Sequence, residues 1–294
     1  MQRVLYITQE MEPFVPETDL SEFTKAAAQA VHGSEYEVRV FMPRYGCINE
    51  RKHQLHEVIR LSGININVNG IQHELLVKVA SLIKSKIQVY FVNNGIFFSS
   101  REILKDIDGV YLKENEDRAI FFAKGTLETI EKLAWEPSII HVHGWFSVFA
   151  LLFLRTHCKD NPFFKGAKIV YSIYPSDFED TYSTTLNQKL QDRRIRAQHL
   201  QHLSESGATV KDLHRLAIAN SDAVIFVGEN PDQELMQFAQ EQEKIVAENP
   251  LNWIRKPDEL RDLYFQIYSR LKSRTRAKKK TTTNNQKLDN VIIE

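Results

Sequence analysis

Short, almost uninterrupted apolar runs alternate with longer segments of helical periodicity along most of the chain. Several of these runs are continuous rather than alternating, which is typical of strands buried on both faces of a parallel sheet. We predict strands at Arg3–Thr8, Glu37–Met42, Glu74–Ala80, Ile87–Val92, Ser138–Val142, Lys168–Ile173 and Ala223–Val227. Helices are predicted at 19–32, 117–134, 147–157, 209–219, 231–242 and 257–273. This alternation predicts an α/β fold with a doubly wound, mostly parallel sheet.

Two segments fall outside the alternation. The stretch 63–70 alternates Ile and Val with Asn between two glycines, which predicts one strand of a hairpin added at the sheet edge. The stretch 178–206 is polar and rich in Gln, Arg and His, and we predict a helical excursion of one or two exposed helices. Its mixed charges favour a solvated face, with contact to phosphate or glucan as the alternative.

The charge of the chain is unevenly distributed. Thirty-eight basic and 38 acidic residues cancel, which argues against a general nucleic-acid binder. Residues 270–294 nevertheless hold eight Lys or Arg against two acids, so the remainder is mildly acidic. Beyond residue 273 the sequence is too polar to pack. We therefore predict one lobe over 1–273, closed by the helix at 257–273, and a disordered basic tail over 274–294.

The number of cysteines and the hydropathy of the chain indicate the cellular compartment in which we expect the protein. Cys47 and Cys158 lie far apart without metal-type spacing, so neither a disulfide framework nor a zinc site is expected. The N-terminus lacks the apolar stretch of a signal peptide. The longest apolar run, Phe146–Leu154, is far shorter than the ~20 residues of a membrane span. We expect a cytoplasmic protein without a membrane partner.

The loop after the first strand lies where a doubly wound sheet binds its ligand. Thr18 or Asp19 is suited to cap the following helix, with Glu22 completing a capping box after Asp19. A phosphate at a helix start needs free backbone N–H groups, and Pro16 has none. Acidic side chains surround this point and would repel an anion: Glu12, Glu17, Asp19 and Glu22. The loop therefore does not predict a phosphate site.

The segment Ile139–Phe146 runs from a strand into a turn and carries two histidines. His141 and His143, two residues apart, point to the same face of the strand. They would supply half of a metal site, but no third ligand is apparent, so we predict neither a metal nor a cofactor. His143 and Trp145 could bind a sugar by a hydrogen bond and by ring stacking. Burial of the histidine beside a core tryptophan is the other interpretation.

Three segments resemble the glycogen and starch synthase family: Phe41–Glu50, Asn115–Phe122 and Ile140–Trp145. The resemblance covers about residues 3–230 and is to the N-terminal starch synthase catalytic lobe, in particular to short single-lobe members of Bacteroidetes-type bacteria. It implies a Rossmann-like lobe of a GT-B-type glycosyltransferase. Full-length members have two lobes and transfer glucose from ADP-glucose or UDP-glucose to an α-1,4-glucan.

The resemblance also assigns site residues, and some family residues are replaced. The family's first-loop Lys-x-Gly-Gly-Leu, which approaches the donor phosphates, has Pro16, Thr18 and Asp19 here in place of the lysine and the glycines. The family's His-x-His-Asp-Trp-His and Asp-Asn-x-x-Arg stretches give the ligand-binding candidates His141, His143, Trp145, Glu114, Asn115 and Arg118. No residue is assigned a catalytic role.

Three functions remain open from the sequence. The first is a lobe that binds α-1,4-glucan or regulates glycogen metabolism without catalysis, since no second series of strand–helix units is recognised after Gly228. The second is an active ADP-glucose:α-1,4-glucan glucosyltransferase whose second lobe comes from another protein chain. The third is a scaffold that binds a partner through the basic tail.

Overall fold

The structure is a computed structural model and describes residues 1–98, 102–176 and 178–273. Its strands and helices alternate along the chain, as the hydropathy pattern predicts. The strands are β1 (Gln2–Thr8), β2 (Tyr36–Pro43), β3 (His56–Glu57), β4 (Ile64–Val68), β5 (Ile71–Ser81), β6 (Gln88–Asn93), β7 (Ile139–His143), β8 (Lys168–Ile173), β9 (Ala223–Val227) and β10 (Ile245–Asn249). The helices are α1 (Asp19–Val31), α2 (Asn115–Leu133), α3 (Phe149–Arg155), α4 (Leu186–Leu190), α5 (Val210–Asn220), α6 (Gln233–Glu241) and α7 (257–273).

The strands pair in the order β10-β9-β8-β7-β1-β2-β6-β5-β3, with β4 paired to β5. From β10 to β6 all neighbours are parallel, whereas β3, β4 and β6 pair with β5 in the antiparallel sense. The α/β class and the doubly wound, mostly parallel sheet are thus confirmed. The hairpin predicted around 63–70 is β4 and β5, at the antiparallel end of the sheet.

The two faces of the sheet are covered by different helices. Helices α1 and α7 lie on the face of His141 and His143, since Thr24 on α1 approaches Thr8 and Tyr264 on α7 contacts His141. Helix α5 lies on the other face, where His214 bonds to Tyr171. The sheet is therefore buried on both sides, which is why its central strands are continuous apolar runs.

Helix α7 presents one apolar face to the sheet, where five of its side chains are at least 98% buried: Leu260, Tyr264, Ile267, Tyr268 and Leu271. Tyr36 at the start of β2 contacts Phe265 and Tyr268. Transfer of this much apolar surface from water holds the helix on the lobe. The predicted basic tail at 274–294 lies outside the described residues.

The segment 178–206 is less exposed and less helical than the excursion of one or two exposed helices predicted for it. It contains one short helix, α4, and a 3-10 turn at Ala197–His199. Its apolar side chains are buried at Leu186, Leu190, Ile195, Leu200 and Leu203. Lys189 is held by Glu116 at 2.7 Å and Asp117 at 2.8 Å on α2. The segment is therefore docked on the lobe through buried and ion-paired contacts that its polar composition did not indicate.

Candidate functional site

The central crevice lies where the direction of the sheet changes. The chain proceeds from β1 to β2 on one side, whereas β7, β8, β9 and β10 follow one another on the other side. In open α/β sheets ligands bind outside the carboxyl ends of the strands at such a switch point. A cavity of about 490 Å³ lies there, lined by Gln9 and Glu10 after β1, Gly144 and Trp145 after β7, and the segment 174–176 after β8. We call it the central cavity.

A second cavity of about 530 Å³ adjoins the first, and both are lined by Glu10, Thr18, Leu104 and Tyr111. Its outer wall is the segment 102–111, a ribbon closed by a β-bridge between Lys105 and Tyr111. The Lys105 ammonium lies 4.7 Å from the centre of the Tyr111 ring. Ile103, Leu104 and Ile107 make much of this wall apolar. Together the two cavities form a cleft long enough for an extended ligand.

The start of α1 forms the acidic wall of the central cavity. Thr18 is the N-cap, and its side chain accepts the Ser21 N–H while Ser21 accepts the Thr18 N–H. The capping box predicted between Asp19 and Glu22 is therefore wrong, because the helix begins one residue earlier and Ser21 takes the partner position. Thr18 Oγ1 also donates to Glu10 Oε2 at 2.7 Å.

Pro16, Thr18 and Asp19 are all exposed at this wall. Partial desolvation and the nearby Glu17 and Glu12 carboxylates raise the pKa of Glu22, while the Arg255 guanidinium acts in the opposite direction and offsets only part of this effect. The one described basic side chain of the first turns of α1, Lys25, is paired to Glu12 at 2.9 Å. Electrostatically, this end of α1 is unsuited to an anion.

Gln9 joins the ends of β1 and β7. Its side-chain oxygen accepts the Phe146 N–H at 3.1 Å, and its amide nitrogen donates to Glu10 Oε1 at 3.1 Å. Gly144 makes this possible, since its φ of 77° and ψ of 160° belong to a region that only glycine occupies readily. A Cβ at Gly144 would lie 2.5 Å from Gln9 Oε1.

Gly144→Ala is expected to lower the free energy of unfolding by roughly 1–3 kcal/mol from backbone strain alone, with a further cost from displacing Gln9. Gly166→Ala is the matched control, because a Cβ there meets nothing within 4 Å. Urea unfolding of both variants measures the difference. Equal stability of the two would contradict the role assigned to Gly144.

Trp145 lines the central cavity but is almost fully buried. Its ring stacks on Phe178 with 4.4 Å between centroids and meets Tyr111 edge-on at 5.9 Å. Only 4% of the residue is exposed. The faces of the indole are thus largely occupied by the protein, and the partly exposed ring of Tyr111 is the aromatic group that borders both cavities.

His141 and His143 lie beneath the cleft and are fully buried. Their rings stack with centroids 4.1 Å apart, as their positions on one face of β7 predict. His141 bonds to Ser172 at 2.8 Å and to Tyr268 at 3.3 Å. His143 bonds to Tyr174 at 2.8 Å, and Tyr174 in turn lines the central cavity. Direct contact of either histidine with a ligand stays a prediction.

Burial keeps both imidazoles neutral. It lowers the pKa of His143 to about 3, and burial together with the His143 ring lowers the pKa of His141 well below its ordinary value. Within the described residues, no group of three His, Cys, Asp or Glu is arranged to hold a metal ion. The pair therefore belongs to the buried polar layer between the sheet and α7.

Asn115 and Arg118 hold the wall of the cleft. Arg118 is fully buried and donates to the carbonyls of Phe97 and Glu102, at 2.8 and 3.0 Å, and to Asn115 Oδ1 at 2.6 Å. Asn115 donates to the carbonyl of Leu104 at 2.7 Å. The third candidate of this stretch, Glu114, is exposed at the N-cap of α2. Asn115 and Arg118 thus position the ribbon, and any ligand contact of the three stays a prediction.

Sequence reasoning did not select Gln9, Glu10, Tyr111 or Tyr174 as site residues. The sequence could have indicated Glu10 and Tyr174, since each lies just after the carboxyl end of a central strand. It could not have indicated Tyr111, because the ribbon that carries it has no regular hydropathy pattern. No helix in the described ranges is both long and apolar enough to span a membrane.

The sheet order and the cleft at its switch point define a lobe of the GT-B glycosyltransferase type. The solved catalytic domain of starch synthase IV from Arabidopsis thaliana, bound to ADP and acarbose, has this fold. It matches with a TM-score of 0.67 and 16% sequence identity, over 85% of this chain and 51% of that one. The family model for the starch synthase catalytic domain matches residues 3–248, so the chain belongs to the glycogen and starch synthase family.

Curated relatives agree with this assignment. A glycogen synthase of Chlorobium luteolum is 42% identical over 173 residues, which are 58% of this chain and 35% of the relative. A glycogen synthase of Chlorobaculum parvum is 36% identical over 194 residues, which are 66% of this chain and 40% of the relative. The matched part thus spans little more than a third of the length of these relatives.

Proposed function

We propose that this lobe binds α-1,4-glucan in its cleft, takes part in glycogen metabolism, and does not by itself transfer glucose. The acidic start of α1, where Glu10 is bonded to Thr18 beside the exposed Asp19, is the observation that carries the proposal. Carboxylates accept hydrogen bonds from sugar hydroxyls and repel phosphate, and a neutral amide such as that of Gln9 can donate to and accept from hydroxyls. The cleft therefore favours a neutral polyhydroxyl ligand.

A comparison of electrostatic and hydrogen-bond energies favours exclusion of a nucleotide sugar from the start of α1. A phosphate about 4 Å from a carboxylate is opposed by about 4 kcal/mol at an effective dielectric constant of about 20. One charge-assisted hydrogen bond returns only about 1.5–3 kcal/mol. The described lining of the central cavity contains no lysine or arginine to offset the repulsion.

Family membership favours a second candidate, an ADP-glucose:α-1,4-glucan glucosyltransferase that works with a second lobe. The relatives that match at 36–42% identity are glycogen synthases, and the solved starch synthase IV domain is bound to ADP. In such an enzyme a partner lobe would have to supply the donor contacts, because Pro16, Thr18 and Asp19 occupy the positions of the family's lysine and glycines. Binding of ADP-glucose by this chain would distinguish the two candidate functions.

Tyr111→Ala tests where the glucan lies. The ring borders both cavities, and we expect its removal to weaken maltoheptaose binding about tenfold, since stacking and burial of one aromatic face are worth about 1.4 kcal/mol. Tyr111→Phe is the matched control and should bind like the unmodified chain. Calorimetric titration measures both, and equal affinity of all three proteins would place the glucan elsewhere.

A further inference from the structure

A third, smaller cavity of about 200 Å³ lies at the carboxyl ends of β8 and β9. It shares only the segment 174–176 with the central cavity. Its other walls come from α5, the end of β9 and the start of α6, including His214, Phe226 and Leu235. Pockets for drug-sized ligands measure about 300–1,000 Å³, so this one is sized for a single small ring.

His214 borders this cavity and is 95% buried. Its Nδ1 lies 2.7 Å from the hydroxyl of Tyr171, a fully buried residue. Burial raises the pKa of Tyr171 and lowers that of His214 to about 4, so the pair is a neutral phenol and a neutral imidazole. The buried phenol O–H has no other acceptor among the described residues, so it donates to Nδ1, and the neutral imidazole then carries its proton on Nε2.

His214 Nε2 makes no hydrogen bond within the described residues, but it is not among the polar atoms that are sealed from water, so it opens on the cavity. In this tautomer it is a donor, and a ligand oxygen or a water can accept from it. Asn230, an exposed residue at the rim of the cavity, offers an amide with both donor and acceptor groups.

The charges at the rim argue against an anionic ligand. Lys211 pairs with Asp232 at 3.0 Å and with Glu234 at 2.8 Å, so its charge is already compensated. The N-termini of α5 and α6 are also occupied by their own caps, Thr209 and Asp232. With apolar walls from Phe226 and Leu235, the surroundings suit a neutral molecule with a few hydroxyl groups.

We propose that this cavity is a second binding site, separate from the cleft, which takes one neutral polyhydroxyl molecule of monosaccharide size. His214 Nε2–H donates to a ligand oxygen, Asn230 binds a hydroxyl at the rim, and Phe226 packs on the apolar face of the ring. The volume of the cavity suits one sugar ring, and its lining shares only the segment 174–176 with the central cavity. We therefore expect it to fill independently of glucan binding in the cleft.

The test is a titration of the full chain with D-glucose, in which the ¹⁵N and ¹H NMR resonances of the His214 ring report binding. We expect a saturable shift at His214 Nε2, and an affinity about three- to tenfold weaker in His214→Gln and in Asn230→Ala. Asn230 is exposed, so its variant keeps the fold. His202→Gln is the matched control, because His202 does not line the cavity.

An unmoved His214 resonance, or full-strength glucose binding by both His214→Gln and Asn230→Ala, would overturn this proposal. Parallel titration with maltoheptaose separates it from glucan binding in the cleft. Tyr111→Ala should weaken maltoheptaose binding and leave the glucose shift at His214 unchanged. Loss of glucose binding in Tyr111→Ala would show instead that glucose occupies the cleft.

Discussion

Acidification from about pH 7.5 to about pH 5 is expected to lower the free energy of unfolding by about 4 kcal/mol through two buried histidines, His143 and His214. Both are at least 95% buried, and burial lowers the pKa of His143 to about 3 and that of His214 to about 4. In the folded chain these two imidazoles stay neutral at about pH 5, whereas an unfolded histidine has a pKa of about 6.5. Burial and the His143 ring also lower the pKa of His141, which adds to the loss in the same direction.

The sign of the effect follows from proton uptake. As the pH falls below about 6.5, the unfolded chain binds protons that the folded chain does not, so stability is lost progressively until the folded pKa is reached. His143 and His214 then each contribute about 2 kcal/mol at about pH 5. Urea unfolding followed by tryptophan fluorescence over this pH range measures the slope.

His143→Phe should remove about 2 kcal/mol of the acid-induced loss of stability, whatever its effect on stability at neutral pH, because the pH dependence reports protons rather than packing. His56→Gln is the control, since His56 is exposed and its variant should keep the full slope. An unchanged slope in His143→Phe would mean that His143 is protonated in the folded chain, contrary to its burial.

Arg118→Met is expected to lower the free energy of unfolding by about 4 kcal/mol, since it leaves buried oxygens without donors at about 1–3 kcal/mol each. Arg118 donates to the Phe97 and Glu102 carbonyls and to Asn115 Oδ1. Its guanidinium also lies over the rings of Tyr45 and Phe98, at 5.6 and 5.2 Å. Loss of these contacts releases the wall of the cleft as well as destabilising the core.

Both the stability and the maltoheptaose affinity of Arg118→Met are therefore measured, by unfolding and by titration. Arg193→Met is the control, because Arg193 is exposed and surface changes usually cost less than about 0.5 kcal/mol. We expect Arg118→Met to weaken maltoheptaose binding in the fraction that remains folded. Unchanged stability would show that the cost of burying the guanidinium cancels its hydrogen bonds.

The central sheet could be predicted from sequence because its strands are continuous apolar runs, and the positions of β8 and β9 were predicted to the residue. Strand β10 was missed, since an edge strand needs burial on one side only and Ile245 is its one fully buried apolar residue. The hairpin strand β4 was found because its alternation of Ile and Asn is a local signal.

The candidate site was less predictable because its partners are distant in sequence. Strand periodicity placed His141 and His143 on one face, but what covers that face depends on Tyr268 of α7. Likewise, the family resemblance assigned Asn115 and Arg118 to a ligand site, whereas the carbonyls that they bind have no sequence signature. The first loop could be interpreted from the residues alone, since the charges of Glu17 and Asp19 and the missing N–H of Pro16 need no distant partner.

We propose that the cleft accepts α-1,4-glucan and rejects a nucleotide sugar. Calorimetric titration of one preparation of the chain with maltoheptaose and then with ADP-glucose tests it most directly, with glucose incorporation into glycogen measured alongside. We expect saturable heat from maltoheptaose, none from ADP-glucose, and no incorporation. Binding of ADP-glucose with turnover, or no binding of maltoheptaose, would contradict the claim.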